Sequence, residues 1–220
     1  MRGVLRFLAS VLITSGLLML VDAGLSVAWQ EPVSAFMASR EQDKLASRLN
    51  KLDAAAAADL RSVGSPGTDR RALARLARLQ RRRTHTGDPI GRIAMPTLKR
   101  RTVVVQGTDT SSLRKGPGHY PKTSFPGEGG TVAVAGHRTT YGAPFRTVDQ
   151  LKHGDEIVME MPYGRFTYAV ERTQIVSPSA TEVVRRVPGR ERLVLSACHP
   201  LYSASQRIIV FARLVTEEAR

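Results

Sequence analysis

Apolar and polar positions change their rhythm three times along the chain. From Phe7 to Val21 the residues are uncharged and mostly apolar, and the apolar character resumes after Asp22 through Trp29. Phe7–Val21 alone is short of the roughly 20 residues that span a bilayer. Adding residues 23–29 makes the run long enough, so residues 7–29 read as a membrane helix with Trp29 at its outer interface. Arg2 and Arg6 precede it and favour a cytoplasmic N-terminus. A single-pass signal-anchor over 1–30 is expected, with the rest of the chain outside the cell membrane. Ser26-Val27-Ala28 also resembles a signal-peptidase site, which leaves cleavage as the alternative. Export of residues 31–220 follows in both cases.

The second rhythm is helical. Leu45, Leu49, Leu52, Ala56 and Leu60 recur at three- and four-residue spacing and predict a helix over Glu41–Leu60. Gly64–Thr68 breaks it. Thr68 or Asp69 caps a second helix, Arg70–Arg83, with a stripe of Leu73, Leu76 and Leu79 inside a row of arginines. Segment 31–87 therefore reads as a basic, partly helical stalk. It has almost no aromatic residues from which to build a core of its own.

From Asp88 onward the pattern is that of short strands. Gly91–Met95, Thr102–Gln106, Thr131–Ala135, Glu156–Glu160, Arg165–Val176, Leu193–Ala197 and Ile208–Val215 are apolar or alternating runs separated by Gly and Pro. Short helices fit at Val148–Leu151 and Thr181–Val187. Residues 88–220 thus form one mainly β unit, a closed or nearly closed barrel.

Charge sharpens this division. The chain carries 33 Lys and Arg against 19 Asp and Glu. Residues 61–101 hold twelve basic and two acidic residues, so most of the excess sits in this middle segment, which contains the arginine row 70–83. An arginine-rich helix suits an anionic lipid or wall polymer. Nucleic acid is not expected of an exported chain.

Cys198 is the only cysteine in 220 residues. An exported chain with one cysteine has no internal disulfide, which marks the thiol as a candidate reactive group. Cys198 ends one predicted strand and Arg207 begins the next. If the two pair, a guanidinium faces the thiol, where it favours thiolate and can stabilise an oxyanion. The bland reading is a small buried hydrophobe. A cysteine nucleophile needs a proton partner. His137 ends the strand Thr131–Ala135 at a rim, as Cys198 does. His199 is adjacent in sequence, but successive strand residues point to opposite faces. There is no Cys-x-x-Cys pair and no phosphate-binding glycine loop, so neither metal nor cofactor is expected.

Ala-Gly-His-Arg-Thr-Thr-Tyr-Gly-Ala-Pro-Phe (135–145), Ser-Ala-Cys-His-Pro (196–200) and Arg207 together resemble the histidine, cysteine and arginine motifs of sortases. The forms are most similar to class E sortases of high-GC Gram-positive bacteria. The resemblance runs from about Gly91 to Val215. It implies an eight-stranded β-barrel and a cysteine transpeptidase with Cys198 as nucleophile, His137 as general acid/base and Arg207 as oxyanion or positioning group. It also implies sorting-signal peptides of the Leu-Ala-X-Thr-Gly or Leu-Pro-X-Thr-Gly kind as substrates, an amine of the cell-wall precursor as acceptor, and no cofactor. By motif position, Tyr120 and its neighbour His119 would meet the substrate. Ala197 stands where sortases usually carry Thr, at the edge of the site. Two rivals remain: a non-enzymatic wall-binding module with an inert Cys198, and a cysteine hydrolase on the same scaffold.

Overall fold

The computed structural model describes residues 2–28, 32–63 and 70–219. Trp29, the breaker at Gly64–Thr68 and the caps Thr68 and Asp69 lie outside the described residues. The helices are α1 (Arg2–Ala28), α2 (Pro32–Val63), α3 (Arg70–Arg83) and the short α4 (Thr110–Leu113). The strands are β1 (Pro89–Met95), β2 (Arg100–Gln106), β3 (Gly118–His119), β4 (Thr131–Gly136), β5 (Glu156–Met161), β6 (Gly164–Val176), β7 (Arg192–His199) and β8 (Gln206–Ala219). They close into an eight-stranded barrel in the order β1-β2-β3-β4-β7-β8-β6-β5.

Alternation along the strands builds the core. Val132 and Val134 of β4, Leu193, Leu195 and Ala197 of β7, and Ile208, Val210 and Ala212 of β8 point inward with Phe125, Phe145, Phe166 and Tyr168. All seven runs read as strands in the sequence are strands. The eighth, β3, has two residues and no pattern to read. It pairs parallel to β2 and antiparallel to β4, and so closes the barrel. The two short helices expected in the barrel are 3-10 turns at Val148–Gln150 and Thr181–Val184.

The helices of segment 31–87 lie on the barrel. α2 begins nine residues before the helix read from the leucine spacing, with Pro32 in the first helical position, where its missing N–H costs nothing. Leu45 and Leu49 pack on Val103 and Val105, on the outer face of β2. Over Thr102–Val103 the outer edge of β2 has no strand partner, and a side chain satisfies it. Gln42 Oε1 accepts from Val103 N at 2.8 Å, and Nε2 donates to the Val103 carbonyl at 3.2 Å and the Lys115 carbonyl at 2.7 Å. α3 buries Leu73 and Ala77 completely in the main core, and Gln80 Nε2 donates to the Ile90 carbonyl at 2.7 Å. Leu79, read as part of the stripe, is exposed, because the buried face follows the 73–77 spacing instead. α1 is long and apolar enough to cross a membrane, and its apolar side chains from Val4 to Val21 are exposed.

Candidate active site

β4, β7 and β8 are consecutive neighbours in the barrel. Gly136 and Ala197 are partners in the parallel pair β4–β7, and Cys198 and Arg207 are partners in the antiparallel pair β7–β8. His137 and Cys198 are each one residue beyond the Gly136–Ala197 pair. The three residues named from the sequence therefore stand side by side at one rim, on strands about 5 Å apart.

They also share a face. Ala133, Val194, Ile209 and Phe211 form an apolar cluster separate from the main core, on the outer surface of the same strands. By the two-residue period His137 shares a face with Ala133, Cys198 with Val194, and Arg207 with Ile209 and Phe211. Tyr120, Val176, Val183 and Val184 pack over this cluster. His199 falls on the other face, with Ala197 and Leu195. Its Nδ1 lies 3.3 Å from Arg138 Nη1, which donates to it.

Cys198 is half-buried. His137 is half-buried too, and burial pushes its imidazole below the ordinary histidine value. The Tyr141 ring lies 5.2 Å from the imidazole, centroid to centroid, and Phe145 N donates to the His137 carbonyl at 3.0 Å. A Cβ on Gly136 would stand 2.4 Å from the Phe145 ring, so only glycine fits directly before His137. Tyr141 and Ala143 both have positive φ, 51° and 42°. Ala143 is buried, and Ser34 Oγ of α2 accepts from Tyr141 N at 3.4 Å, which helps hold a costly backbone in place. Arg207 Nη1 donates to the carbonyls of Ala204 and Gln206, both at 2.9 Å, while Nε and Nη2 make no hydrogen bond within the described residues.

Arg138 was not singled out in the sequence. It is 2% exposed, and it pairs with Asp149 at 2.8 Å, donates twice to the Arg146 carbonyl, and lies 3.5 Å from the Cys198 carbonyl. One buried guanidinium thus ties the loop after His137 to the end of β7. Nothing in residue type separates it from the other arginines; its place immediately after His137 was the available signal.

Two of the expected substrate contacts have side chains that face inward. His119 is fully buried, with Nδ1 2.9 Å from Gln106 Oε1 and Nε2 2.9 Å from the Ser124 carbonyl. Burial pushes its pKa down to about 4, so the ring is neutral. Donation from Nε2 to Ser124 leaves Nδ1 as acceptor, which assigns the Gln106 amide nitrogen to the atom facing it. The ring has no face to offer a peptide. Ala197 is 4% exposed and its methyl lies in the main core. Alternation sends it inward, whatever residue stands there in other proteins. Tyr120 alone of the three lies on the outer cluster, half-buried. Among the described residues no group of three or more His, Cys, Asp or Glu is placed to hold a metal ion.

The sortase domain model matches residues 93–215. This chain belongs to the sortase family. It is similar to sortase D of Bacillus subtilis, with 34% identity over 134 residues, 60% of this chain and 66% of that protein. It is similar to sortase SrtE1 of Streptomyces coelicolor, with 34% identity over 47% of this chain and 33% of that protein. The chain thus spans less than two thirds of the length of these relatives. The structure of sortase E from Streptomyces avermitilis superposes with a TM-score of 0.57 at 35% identity, over 61% of this chain and 93% of that one. The barrel with its outer-face rim is thus the family's fold.

Proposed function

We propose that this sortase is a cysteine transpeptidase acting on C-terminal sorting signals. The Cys198 thiolate attacks the carbonyl carbon between Thr and Gly of the signal. Arg207, with Nε and Nη2 unengaged, faces the oxygen as it gains charge. The C–N bond breaks, His137 gives its proton to the departing glycine amine, and a thioester to Cys198 remains. An amine of the wall precursor then attacks the thioester, His137 takes the amine proton, and the thiolate leaves. No cofactor enters. The observation that carries the reading is the strand register, which sets a lone thiol, an imidazole and a guanidinium side by side on one outward face.

The finer parts of the proposal follow from the class E likeness. Leu-Ala-X-Thr-Gly is the preferred signal over Leu-Pro-X-Thr-Gly, and Tyr120, on the outer cluster, carries that preference. α1 anchors the chain in the cell membrane with its N-terminus inside. The chain divides in function into this anchor (1–30), a basic segment (31–87) whose Arg70–Arg83 row suits an anionic wall polymer or lipid, and the catalytic barrel (88–220).

Mass spectrometry of peptide products tests the reading. With oligoglycine present, a Leu-Ala-X-Thr-Gly peptide yields amide instead of free acid, and Cys198→Ala yields neither product nor acyl-enzyme. Free acid alone, whatever amine is supplied, makes the protein a hydrolase. Turnover by Cys198→Ala removes the nucleophile assignment. Tyr120→Ala narrows the difference between the Ala and Pro peptides and retains catalysis; an unchanged preference frees Tyr120 of that role.

A further inference from the structure

A cleft of about 300 Å³ opens where α3, the segment before β4 and the β6–β7 connection meet. Four cations reach it from three elements: Arg78 and Arg81 of α3, Lys122, and Arg186. The single carboxylate in its wall, Glu128, is already paired with Arg81 at 3.1 Å. Arg186 gives one bond to the Gly129 carbonyl at 3.3 Å. Arg78 and Lys122 make no hydrogen bond or ion pair within the described residues, and both are exposed. The cleft thus holds more positive charge than its own chain uses.

Its position relates it to the rim. Val184 lines the cleft and also packs on the outer apolar cluster, so the two share a wall. Thr131 lines it as well, on the same face of β4 as Ala133 and His137. Thr131 is six residues from His137, about 20 Å along a strand. Arg192, beside Thr131 in the register, bonds to Thr131 Oγ1 and to the carbonyls of Val183 and Arg185. The apolar face therefore runs from the reactive rim to the cleft, with Tyr120 and Val184 beside the path.

Transfer chemistry selects which half of a peptide lies along that path. The acyl half stays on Cys198 through both half-reactions, whereas the leaving half must vacate its place for the acceptor. The long apolar face suits the acyl half, which extends N-terminally from the scissile carbonyl. At about 3.3 Å per residue, 20 Å corresponds to about six residues. The cleft then meets the residues immediately ahead of the pentapeptide signal.

We propose that this cleft selects sorting signals preceded by acidic residues, with Arg78 and Lys122 as the specificity-determining cations. The inference rests on the transpeptidase reading of the rim and names its substrate class more closely. A phosphate-bearing lipid is the competing occupant. The placement disfavours it, because Ser34 in the first turn of α2 meets the loop after His137, at the opposite end of the barrel from the cleft.

The test uses full-length protein in zwitterionic detergent and soluble peptides with Asp-Glu, Asn-Gln or Lys-Lys ahead of Leu-Ala-X-Thr-Gly. At low salt the Asp-Glu peptide is expected to exceed the Asn-Gln peptide in kcat/KM by about tenfold, falling toward parity at 0.5 M salt. In Arg78→Glu and Lys122→Glu that ratio drops to about one, and the Lys-Lys peptide gains. Cleavage of all three peptides at equal rates overturns the inference and leaves the transpeptidase reading standing. Anisotropy of labelled peptides on Cys198→Ala separates the opposite case. Acidic binding there, lost in the Arg78→Glu double variant, supports the cleft even if no peptide is turned over. Equal peptide binding together with binding of soluble glycerol phosphate, the headgroup without its acyl chains, that Arg78→Glu abolishes assigns the cleft to lipid phosphate and overturns the proposal.

Discussion

Cys198 and Arg207 are register partners across the antiparallel pair of β7 and β8, one residue from the end of β7 and one from the start of β8. The pairing aims thiol and guanidinium at the same face, and the Ala204 and Gln206 carbonyls hold the guanidinium by a single nitrogen. A lysine keeps the charge but lacks the planar fork that lets one nitrogen anchor while the others face the substrate. Arg207→Lys is expected to lower kcat/KM by about 10²–10³-fold, the loss typical of one oxyanion donor. Steady-state cleavage of a Leu-Ala-X-Thr-Gly peptide measures it. Near-wild-type rates in the lysine variant would show that charge alone suffices.

The two rim histidines are distinguished by strand parity. His137→Ala is expected to lose at least about 10²-fold in kcat, as removal of a general acid/base does. His199→Ala should retain most activity, since its ring shares a face with Ala197 and takes a hydrogen bond from Arg138. Single-turnover acylation followed by mass spectrometry ranks them. Equal losses would contradict the face assignment.

Gly136→Ala sets a methyl against the Phe145 ring, which must shift to admit it. Overpacking of this kind costs about 1–3 kcal/mol. The shift falls on the segment whose amide binds the His137 carbonyl, so activity should fall more than stability does. Paired thermal melts and peptide assays read the two. A variant with wild-type kcat/KM would uncouple Phe145 from His137.

Buried His119 makes stability depend on pH. Its pKa is about 4 in the fold, lowered by burial, against about 6.5 in the unfolded chain. The unfolded state therefore binds more protons between these values. The stabilisation is complete above 6.5 and is lost as pH falls through 4, to a total of about 3 kcal/mol. His137, also lowered by burial, acts with the same sign. Urea unfolding from pH 7 to 4 should show a steep fall in the wild type and a shallower one in His119→Gln. Parallel curves would mean that His119 is hydrated in the fold.

The barrel strands were legible because each long strand buries one face, and burial writes an apolar run or alternation into the sequence. β3 was not, because two residues carry no period. Cys198, His137 and Arg207 were legible as strand ends, since a rim is where an apolar run stops. Arg138 was hidden because its role comes from Asp149 and Arg146, which the loop brings to it through space. The inward placement of His119 and Ala197 was not legible, because proximity in sequence to a candidate site residue does not fix the face. The docking of α2 and α3 was illegible because their leucines show a buried face but not its partner. Val103 and Val105 are sixty residues or so away in the chain.

The meeting of Ser34 with the loop after His137 has a consequence for how substrate arrives. Ala38, a turn further along α2, lies against Gly142 of the same loop, so the start of α2 is fastened beside the rim. Ser34 is six positions on from Ala28, the end of α1, and six steps of chain span no more than about 22 Å. With α1 in the bilayer as proposed, the reactive thiol works within a thin layer at the membrane surface. Any substrate tethered to the same bilayer would then meet it by lateral diffusion in two dimensions, at an effective concentration that no soluble peptide reaches.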